Sequence, residues 1–265
     1  MATTTMAVAT QAAGTHVREH TSILAAAEKR LLIWIAHRLP GWVTSDRLTA
    51  LGAVAMVGTA GAFAAASIDV RWLALVPVML AINWFGDSLD GTVARVRNQQ
   101  RPRYGYYLDH VVDIANTAVL FAGLALSGLC NPWIAMALLV GYLLLSAESF
   151  LATHALGVFR ISFAGMGPTE LRILLSVGAL AAMAQPQVRP FGLGPFQLFD
   201  VGGLVGAIGM SVVFVLSSAR NARALYRAEP LPRQAPTACR SGCPELACRC
   251  RRGCSAVRRP TRRLP

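Results

Sequence analysis

Long apolar stretches make up most of the chain, and the short segments between them are rich in arginine, glycine and proline. Six of these stretches come close to the ~20 residues that a helix needs to cross the ~30 Å hydrocarbon core of a bilayer. They cover residues 48–67, 72–93, 106–129, 132–153, 169–184 and 201–219. The pattern therefore predicts six transmembrane helices, of which the fifth is the shortest.

The segment 23–39, just before the first predicted span, mixes apolar and charged residues. Leu31 and Trp34 alternate with Glu28 and other polar side chains, so the segment is too polar to cross a bilayer. This pattern predicts a helix that lies in the membrane interface, although an ordinary amphipathic helix packed on the protein would look similar. The Pro-Gly pair that follows lets the chain turn into the bilayer. The predicted fold class is an all-α integral membrane protein, with an N-terminal interfacial helix plus six transmembrane helices.

Composition and charge agree with a membrane location. The chain is 54% hydrophobic and only 14% charged, whereas ordinary soluble domains are roughly a quarter charged. With the N-terminus inside, 23 of the 25 Lys and Arg residues fall on the cytoplasmic side, and only Arg71 and Arg189 fall outside. Because positive residues concentrate on the cytoplasmic side, we predict a multi-pass inner (cytoplasmic) membrane protein. Both termini and the site described below would face the cytoplasm.

The two ends of the chain differ from this membrane domain, which we place at residues 22–228. Residues 1–21 are predicted to be disordered, and residues 229–265 to form a basic Cys/Pro/Arg-rich tail without order. The cysteine spacing in the tail lacks the paired C-x2-C knuckles of a zinc site. Its arginines, next to a membrane helix, indicate attraction to anionic lipid rather than to nucleic acid.

Four aspartates interrupt the second and third apolar stretches. Asp87 and Asp90 are three residues apart, and Asp109 and Asp113 are four apart, so each pair shares one face of a helix. Asp87 lies about 22 Å of helix rise beyond the start of its span, and the second pair lies about 6–12 Å into the next span. Because these two helices run in opposite directions, both pairs fall at a similar depth and can converge on one site near the cytoplasmic surface.

Placing these carboxylates in a membrane requires a compensating interaction. An aspartate at a helix centre costs roughly 2.5–3.5 kcal/mol on insertion scales, so four unpaired ones would cost on the order of 10 kcal/mol. A single aspartate could be a helix cap or a partner for Arg95 or Arg97. Four together indicate a cation site, and oxygen-only ligands suit Mg²⁺, Mn²⁺ or Ca²⁺ better than zinc.

The segment that carries the aspartates resembles the signature of the CDP-alcohol phosphatidyltransferase family, D-x2-D-G-x2-A-R-x8-G-x3-D-x3-D. The matching residues are Asp87, Asp90, Gly91, Ala94, Arg95, Gly105, Asp109 and Asp113. One departure is visible, since nine residues separate Arg95 from Gly105 where about eight are expected. The resemblance extends to the architecture of an interfacial helix followed by six spans.

The resemblance implies an activity and roles for these residues. Members transfer a phospho-alcohol group from a CDP-linked donor to an acceptor hydroxyl and release CMP. By this resemblance all four aspartates bind metal, Mg²⁺ or Mn²⁺, with about two ions per site, and Asp113 is also the general base. The CDP-binding residues would be Asp87, Asp90, Gly91, Ala94, Arg95, Gly105 and Asp109. CDP-diacylglycerol is the favoured donor, a small alcohol or phospho-alcohol is the acceptor, and a homodimer is also implied.

The acceptor is less well defined by the sequence. The candidate acceptor-binding residues are Arg160, Glu170, Arg172 and Arg220, although the arginines could equally be charges that fix the topology. In family members that accept a phosphorylated alcohol, an arginine often follows the loop glutamate directly, whereas here Leu171 intervenes. A CDP-amino alcohol phosphotransferase acting on diacylglycerol is the alternative within the family.

A membrane transporter or ion-pathway protein is the alternative from another class, because intramembrane acids also mark ion pathways. That class predicts acids distributed across the bilayer and, often, internal repeats. Here the four aspartates lie within 27 residues. Glu148 in the fourth span could line a polar cavity, but we favour a hydrogen bond to a neighbouring helix. Gly202, Gly206 and Gly209 predict close packing of the sixth span.

Overall fold

The computed structural model describes residues 18–19, 25–156, 159–160, 168–229 and 231, and these residues are mostly helical. The α-helices in chain order are α1 (Ala25–Arg38), α2 (Ser45–Ala65), α3 (Leu75–Val96), α4 (Pro102–Leu126), α5 (Pro132–Leu156), α6 (Pro168–Ala184) and α7 (Leu198–Ala228). A 3₁₀ helix, Val70–Ala74, precedes α3, and another, Pro190–Gly192, lies between α6 and α7.

Two pairs of two-residue strands complete the secondary structure of the described residues. In the first pair, β1 (Arg18–Glu19) runs parallel to β2 (Phe159–Arg160). In the second, β3 (Gln187–Val188) runs antiparallel to β4 (Phe196–Gln197). The chain divides into two compact units, Met1–Leu225 and Tyr226–Pro265. The predicted tail lies outside the described residues except for residues 229 and 231, and the predicted disordered N-terminus lies outside them except for residues 18–19.

The prediction of an all-α integral membrane protein is confirmed, with a difference in the number of long spans. Within the described residues, five helical segments are long and apolar enough to cross a membrane. They are Ser45–Ala65, Val70–Val96, Pro102–Leu126, Pro132–Leu156 and Leu198–Ala228. The predicted fifth span corresponds to α6, which has 17 residues and rises only about 25 Å. Its assignment as a sixth span stays a prediction.

Helix α1 covers most of the segment predicted to lie in the interface. Leu32 and Ala36 are buried in a small cluster with Leu48 of α2 and with residues of α3. On the other side, Leu31 and Trp34 are exposed, and the Arg38 guanidinium lies 3.9 Å from the centre of the Trp34 ring. One face of α1 therefore packs on the protein, while apolar and basic side chains on the other suit the boundary between lipid and water.

Arg97, at the end of α3, holds the turn between α1 and α2. Its guanidinium donates to the carbonyl oxygens of Val43 at 2.6 Å, Leu39 at 2.9 Å and Pro40 at 3.0 Å. These carbonyls follow α1, and of the three only that of Pro40 accepts a described backbone bond, from the Val43 N–H at 3.1 Å. The arginine therefore supplies donors to carbonyls at the end of a helix. Arg97 is therefore a structural residue and not a partner of the aspartates.

Helices α2, α3 and α4 approach one another closely at glycines. A Cβ on Gly86 of α3 would lie 2.6 Å from the backbone nitrogen of Gly52 in α2. A Cβ on Gly123 of α4 would lie 2.5 Å from the Cα of Ala60 in α2. Small residues let helix backbones pack closely in a membrane, and α2 is the helix against which both of the others pack.

Helix α7 packs on α5, partly through the glycines that the sequence indicated. A Cβ on Gly206 would lie 3.2 Å from Leu138 of α5, but one on Gly202 or Gly209 would meet nothing within 4 Å. The tightest contact belongs instead to Gly203, where a Cβ would lie 2.7 Å from Ile134. The prediction of close packing therefore holds for Gly206, whereas Gly202 and Gly209 make no close contact within the described part of the chain.

Glu148 links the C-terminal halves of α5 and α7. Its Oε1 accepts hydrogen bonds from the Asn221 side chain at 2.6 Å and from the Ser217 hydroxyl at 3.0 Å. The favoured interpretation of Glu148, a hydrogen bond to a neighbouring helix, agrees with this contact.

Cys130 lies just before the start of α5. Burial raises the pKa of its thiol to about 12, and Asp200 in the first turn of α7 adds to the effect.

The glycine contact between α2 and α4 gives a stability prediction. Gly123→Ala should destabilise the protein by about 1–3 kcal/mol, because the added methyl must displace the backbone at Ala60. Gly61→Ala is the matched control, since a Cβ there meets nothing within 4 Å and alanine favours a helix over glycine by about 1 kcal/mol. Thermal unfolding in detergent measures both. Equal melting temperatures for the two variants would contradict the close contact.

Candidate active site

Three aspartates from two helices form a compact group. Asp87 comes from α3, and Asp109 and Asp113 come from α4. One carboxylate oxygen from each lies within 4.8 Å of those of the other two, and all three residues are partly buried. The two helices are joined by the short segment 97–101, which places the end of α3 beside the start of α4. The convergence of residues 22 to 26 positions apart therefore follows from the hairpin.

Asp90, the fourth predicted ligand, is directed toward α2. Its Oδ2 accepts a hydrogen bond from the Thr49 hydroxyl at 2.6 Å, and its Oδ1 accepts one from the backbone N–H of Gly91. Asp90 is not a member of the compact group of three. The structure thus brings three of the four predicted metal ligands together. The fourth, Asp90, lies about one helical turn along α3 from Asp87 and is held there by Thr49.

Arg172 of α6 reaches into the acidic group. Its Nη2 donates to Asp87 Oδ2 in a partly buried ion pair. Its Nε donates to the side-chain oxygen of Asn83 at 2.8 Å, and the Asn83 amide in turn donates to the Gly52 carbonyl at 2.9 Å. A chain of hydrogen bonds therefore runs from the backbone of α2 through Asn83 to Arg172, which fixes the guanidinium beside Asp87.

The remaining signature residues lie on both sides of the loop between α3 and α4. Arg95 folds back along its own helix, where its Nη2 donates to Thr92 Oγ1 at 3.0 Å. Its Nη1 lies 3.3 Å from the place of a Cβ on Gly91. Gly91, Ala94 and Arg95 thus occupy one stretch of α3 at its C-terminal end. A side chain at Gly91 would crowd the arginine.

Gly105 lies inside the first turn of its helix. Helix α4 begins at Pro102, and the Gly105 N–H donates to the Arg101 carbonyl at 2.7 Å. Proline is favoured in the first turn because its ring presets the backbone and its missing N–H is not needed there. A Cβ on Gly105 would meet nothing within 4 Å among the described residues. There is therefore open space beside Gly105, one helical turn before Asp109.

The other candidate acceptor-binding residues are more distant or less completely described. Glu170 lies in the first turn of α6, two residues before Arg172. Arg160 belongs to strand β2, and its side chain lies outside the described residues. Arg220 is exposed on α7. Among the contacts described, only Arg172 of these four residues bonds to one of the aspartates.

Several polar residues near the aspartates were not predicted from the sequence. A small cavity between α2, α3 and α4 is bordered by Thr49, Gly52, Ala53, Asn83, Asp87, Asp109, Val112 and Asn116. Asn83 and Asn116 are amides within apolar helices, and intramembrane polar residues of this kind often mark function, so this signal could have identified them. Thr49 carries no such signal, because a threonine within a helix commonly bonds only to its own backbone.

The chemistry of these residues fits a divalent cation. Asp87, Asp109 and Asp113 offer only carboxylate oxygens, which are the ligands preferred by Mg²⁺ and Mn²⁺. Arg172 supplies one positive charge against these three negative ones. The excess negative charge in a membrane helix pair would be balanced by a bound cation. Asp87, Asp109 and Asp113 are therefore the residues that would hold it.

Fold and site together define an integral membrane protein with a carboxylate centre close to one end of its helices. A family model described as CDP-alcohol phosphatidyltransferase matches residues 39–216, which is more than half of the chain. The chain belongs to the CDP-alcohol phosphatidyltransferase family. It is accordingly a transferase of phosphate-containing groups that acts in phospholipid biosynthesis.

A solved structure has the same fold. The crystal structure of the phosphatidylinositol phosphate synthase of Mycobacterium tuberculosis with CDP-DAG bound is 24% identical to this chain, with a TM-score of 0.53. The match covers 78% of this chain and 100% of that one. No curated protein sequence matches. The similarity supports the helical membrane fold, and the family model supports the class of enzyme.

The carboxylate group predicts a metal-binding measurement. Asp109→Asn should weaken Mn²⁺ binding by roughly tenfold or more, since changes around metal ligands typically cost 10–100-fold in affinity. Asp46→Asn is the matched control, because Asp46 is an exposed acid that pairs with Arg101 away from the group. Electron paramagnetic resonance of free Mn²⁺ gives both affinities. If Asp46→Asn and Asp109→Asn bind Mn²⁺ alike, the assignment of the site is wrong.

Proposed function

We propose that the protein transfers a phosphatidyl group from CDP-diacylglycerol to the hydroxyl of a small polar alcohol or phospho-alcohol, with release of CMP and dependence on Mg²⁺ or Mn²⁺. The observation that carries this proposal is the convergence of Asp87, Asp109 and Asp113 within the family signature. The membership of the chain in the family supports transfer from a CDP-alcohol. The identity of the acceptor and the dependence on a divalent metal are proposed in addition to this transfer.

The proposed reaction is a displacement at phosphorus. The acceptor oxygen forms a bond to the β-phosphorus of the donor, and the bond from that phosphorus to the oxygen of CMP breaks. The hydroxyl proton passes to a carboxylate oxygen of Asp113, and CMP leaves with the bonding electrons. The bound cations would neutralise developing negative charge on the phosphates. A carboxylate that accepts the proton in this way typically contributes 10²–10⁴-fold to the rate.

The donor side of the site is proposed from the signature residues at the ends of α3 and α4. Asp87, Asp90, Gly91, Ala94, Arg95, Gly105 and Asp109 would surround the CDP group. Gly91 and Gly105 leave the backbone accessible, and Gly105 has open space around it. Thr49 supports this side of the site by fixing the Asp90 carboxylate with a 2.6 Å hydrogen bond.

The acceptor side is proposed around the first turns of α6. Arg172 is the candidate that bonds to an aspartate of the site, and a guanidinium carries five N–H donors. Asn83 and Asp87 account for two of them in the described hydrogen bonds. The guanidinium is therefore placed to meet a further anionic group, which favours an acceptor that carries a phosphate. Glu170, Arg160 and Arg220 stay candidates for the rest of the acceptor site.

CMP release tests the proposal. Purified protein in nanodiscs is incubated with Mg²⁺ or Mn²⁺, CDP-diacylglycerol and a panel of alcohols and phospho-alcohols. We expect release that needs an acceptor, stops with EDTA and falls by about 10²–10⁴-fold in Asp113→Asn, because this variant cannot take the hydroxyl proton. CDP-choline and CDP-ethanolamine with diacylglycerol form the comparison arm.

Asp69→Asn is the matched control for loss of a carboxylate, since Asp69 caps a 3₁₀ helix and its side chain bonds only to the Arg71 N–H in the described contacts. It should leave the rate unchanged. Activity in the CDP-amino alcohol arm alone would reject CDP-diacylglycerol as the donor. Full activity of Asp113→Asn would reject the proposed base.

We also propose that both termini and the site face the cytoplasm, from the imbalance of positive charge between the two sides. Five of the six cysteines, Cys239, Cys243, Cys248, Cys250 and Cys254, lie in the tail and serve as native labels. The sixth, Cys130, is buried. A membrane-impermeant maleimide should label inverted vesicles and leave intact cells unlabelled. Labelling of intact cells would place the tail outside.

A further inference from the structure

Glu28 of α1 is a charged residue that belongs neither to the family signature nor to the carboxylate group. One of its oxygens, Oε1, accepts a hydrogen bond from the indole N–H of Trp84 at 2.7 Å. The same atom accepts one from the Thr169 hydroxyl at 3.0 Å, and the Ser88 hydroxyl lies 3.4 Å away. A single carboxylate oxygen on the interfacial helix therefore binds both α3 and α6.

These partners stand next to the Asp87–Arg172 ion pair in sequence and in the helices. Trp84 precedes Asp87 by three residues on α3, and Ser88 follows it directly. Thr169 precedes Arg172 by three residues on α6, so the two lie one helical turn apart. Glu28 thus connects the two helices at the level where they supply the two members of the ion pair.

The cytoplasmic end of α6 depends on such polar contacts because it has little apolar packing. The buried residues of α6 are Ala179 and Ala182, both in its far half. Its first two turns are exposed or only partly buried. The described side-chain bonds that hold them to other helices are those of Thr169 to Glu28 and of Arg172 to Asn83 and Asp87. Loss of the Glu28 contact would remove the described bond that ties the first turn of α6 to α1.

We propose that Glu28 is a positioning residue, which fixes the first turn of α6 against α3 and thereby sets the place of Arg172 at the acceptor side of the site. The proposal rests on the function proposed above. It assigns to the interfacial helix a part in acceptor binding, through hydrogen bonds to neutral donors and not through the charge of the carboxylate.

The kinetic test compares Glu28→Ala with Glu28→Gln. The alanine variant should raise the KM for the acceptor about tenfold, with the KM for CDP-diacylglycerol and kcat nearly unchanged, because only the placement of Arg172 changes. The glutamine variant keeps an oxygen that can accept from Trp84 and Thr169, so it should restore the acceptor KM. Thr169→Val removes the one described bond of Glu28 that reaches α6, so it should raise the acceptor KM in the same direction. The double variant should add little to Glu28→Ala, which already lacks that bond.

A structural measurement tests the same contact without turnover. Amide hydrogen exchange of the peptide that covers residues 168–174 should be faster in Glu28→Ala and Thr169→Val than in the parent, and restored in Glu28→Gln. Lys29→Ala is the matched control, since Lys29 is the next residue and is exposed. It should leave both exchange and kinetics unchanged. If Glu28→Ala does not fold, Thr169→Val alone carries both measurements.

The outcomes separate the two proposals. Absence of CMP release by the parent and by Lys29→Ala would reject the proposed function, and the exchange data would then decide the role of Glu28 alone. With an active parent, an unchanged acceptor KM in both Glu28→Ala and Thr169→Val would overturn the positioning role. An equal rise in the acceptor KM in Glu28→Ala and Glu28→Gln would also overturn the positioning role, because it would show that the charge of the carboxylate matters and not its hydrogen bonds. An equal rise in the KM values for donor and acceptor would overturn it as well.

Discussion

The close approach of α2 and α3 at Gly52 and Gly86 is the contact on which the geometry of the site depends. Because neither residue has a side chain, the backbones come near enough for Thr49 to reach Asp90 and for Asn83 to reach the Gly52 carbonyl. A Cβ at Gly86 would lie 2.6 Å from the Gly52 nitrogen, so any larger residue there must separate the helices. Separation would break both hydrogen bonds, so Asn83, which accepts from Arg172, would lose its anchor on α2.

Electrostatics explains why these supporting bonds are needed. Carboxylates that are close together repel one another, and the low dielectric of a membrane strengthens this repulsion. Arg172 of α6 holds the Asp87 carboxylate within the group of three, and Thr49 of α2 holds Asp90 beside it. Donors that fix ligand carboxylates in this way prepare the arrangement that a cation requires.

The sequence predicted the parts of the site that depend on local spacing. The positions of Asp87, Asp109 and Asp113 in a helical hairpin follow from residue counts, because helix rise and periodicity are the same in every helix. Contacts between distant segments could not be predicted in this way. Glu28 meets Trp84 and Thr169, which lie 56 and 141 residues away, and no periodic pattern encodes such a pairing. Thr49 was missed because it also bonds to the Ser45 carbonyl of its own helix, at 3.2 Å.

The start of α4 illustrates a different limit. The third apolar stretch starts at residue 106, directly after Gly105, yet Pro102 begins helix α4 four residues earlier. Two local preferences competed, and the preference of proline for the first helical turn prevailed over the breaking tendency of glycine. The ends of α6 and the number of spans were uncertain for a related reason, since hydropathy alone does not determine where a short helix of 17 residues stops.

The distribution of polar and apolar residues along the helices distinguishes a transferase from an ion pathway. The aspartates, Arg172 and Glu28 all lie toward the cytoplasmic ends of the helices by the predicted topology. The opposite halves of α2, α3, α4 and α6 are filled by a buried apolar cluster that includes Phe63, Leu73, Val76, Leu80 and Leu124. A transported ion would need polar groups on both sides of the site. A packed apolar cluster behind the carboxylates instead closes the site toward the far side of the membrane. In the proposed reaction, the water-soluble product CMP would then leave toward the same side from which the polar acceptor would enter.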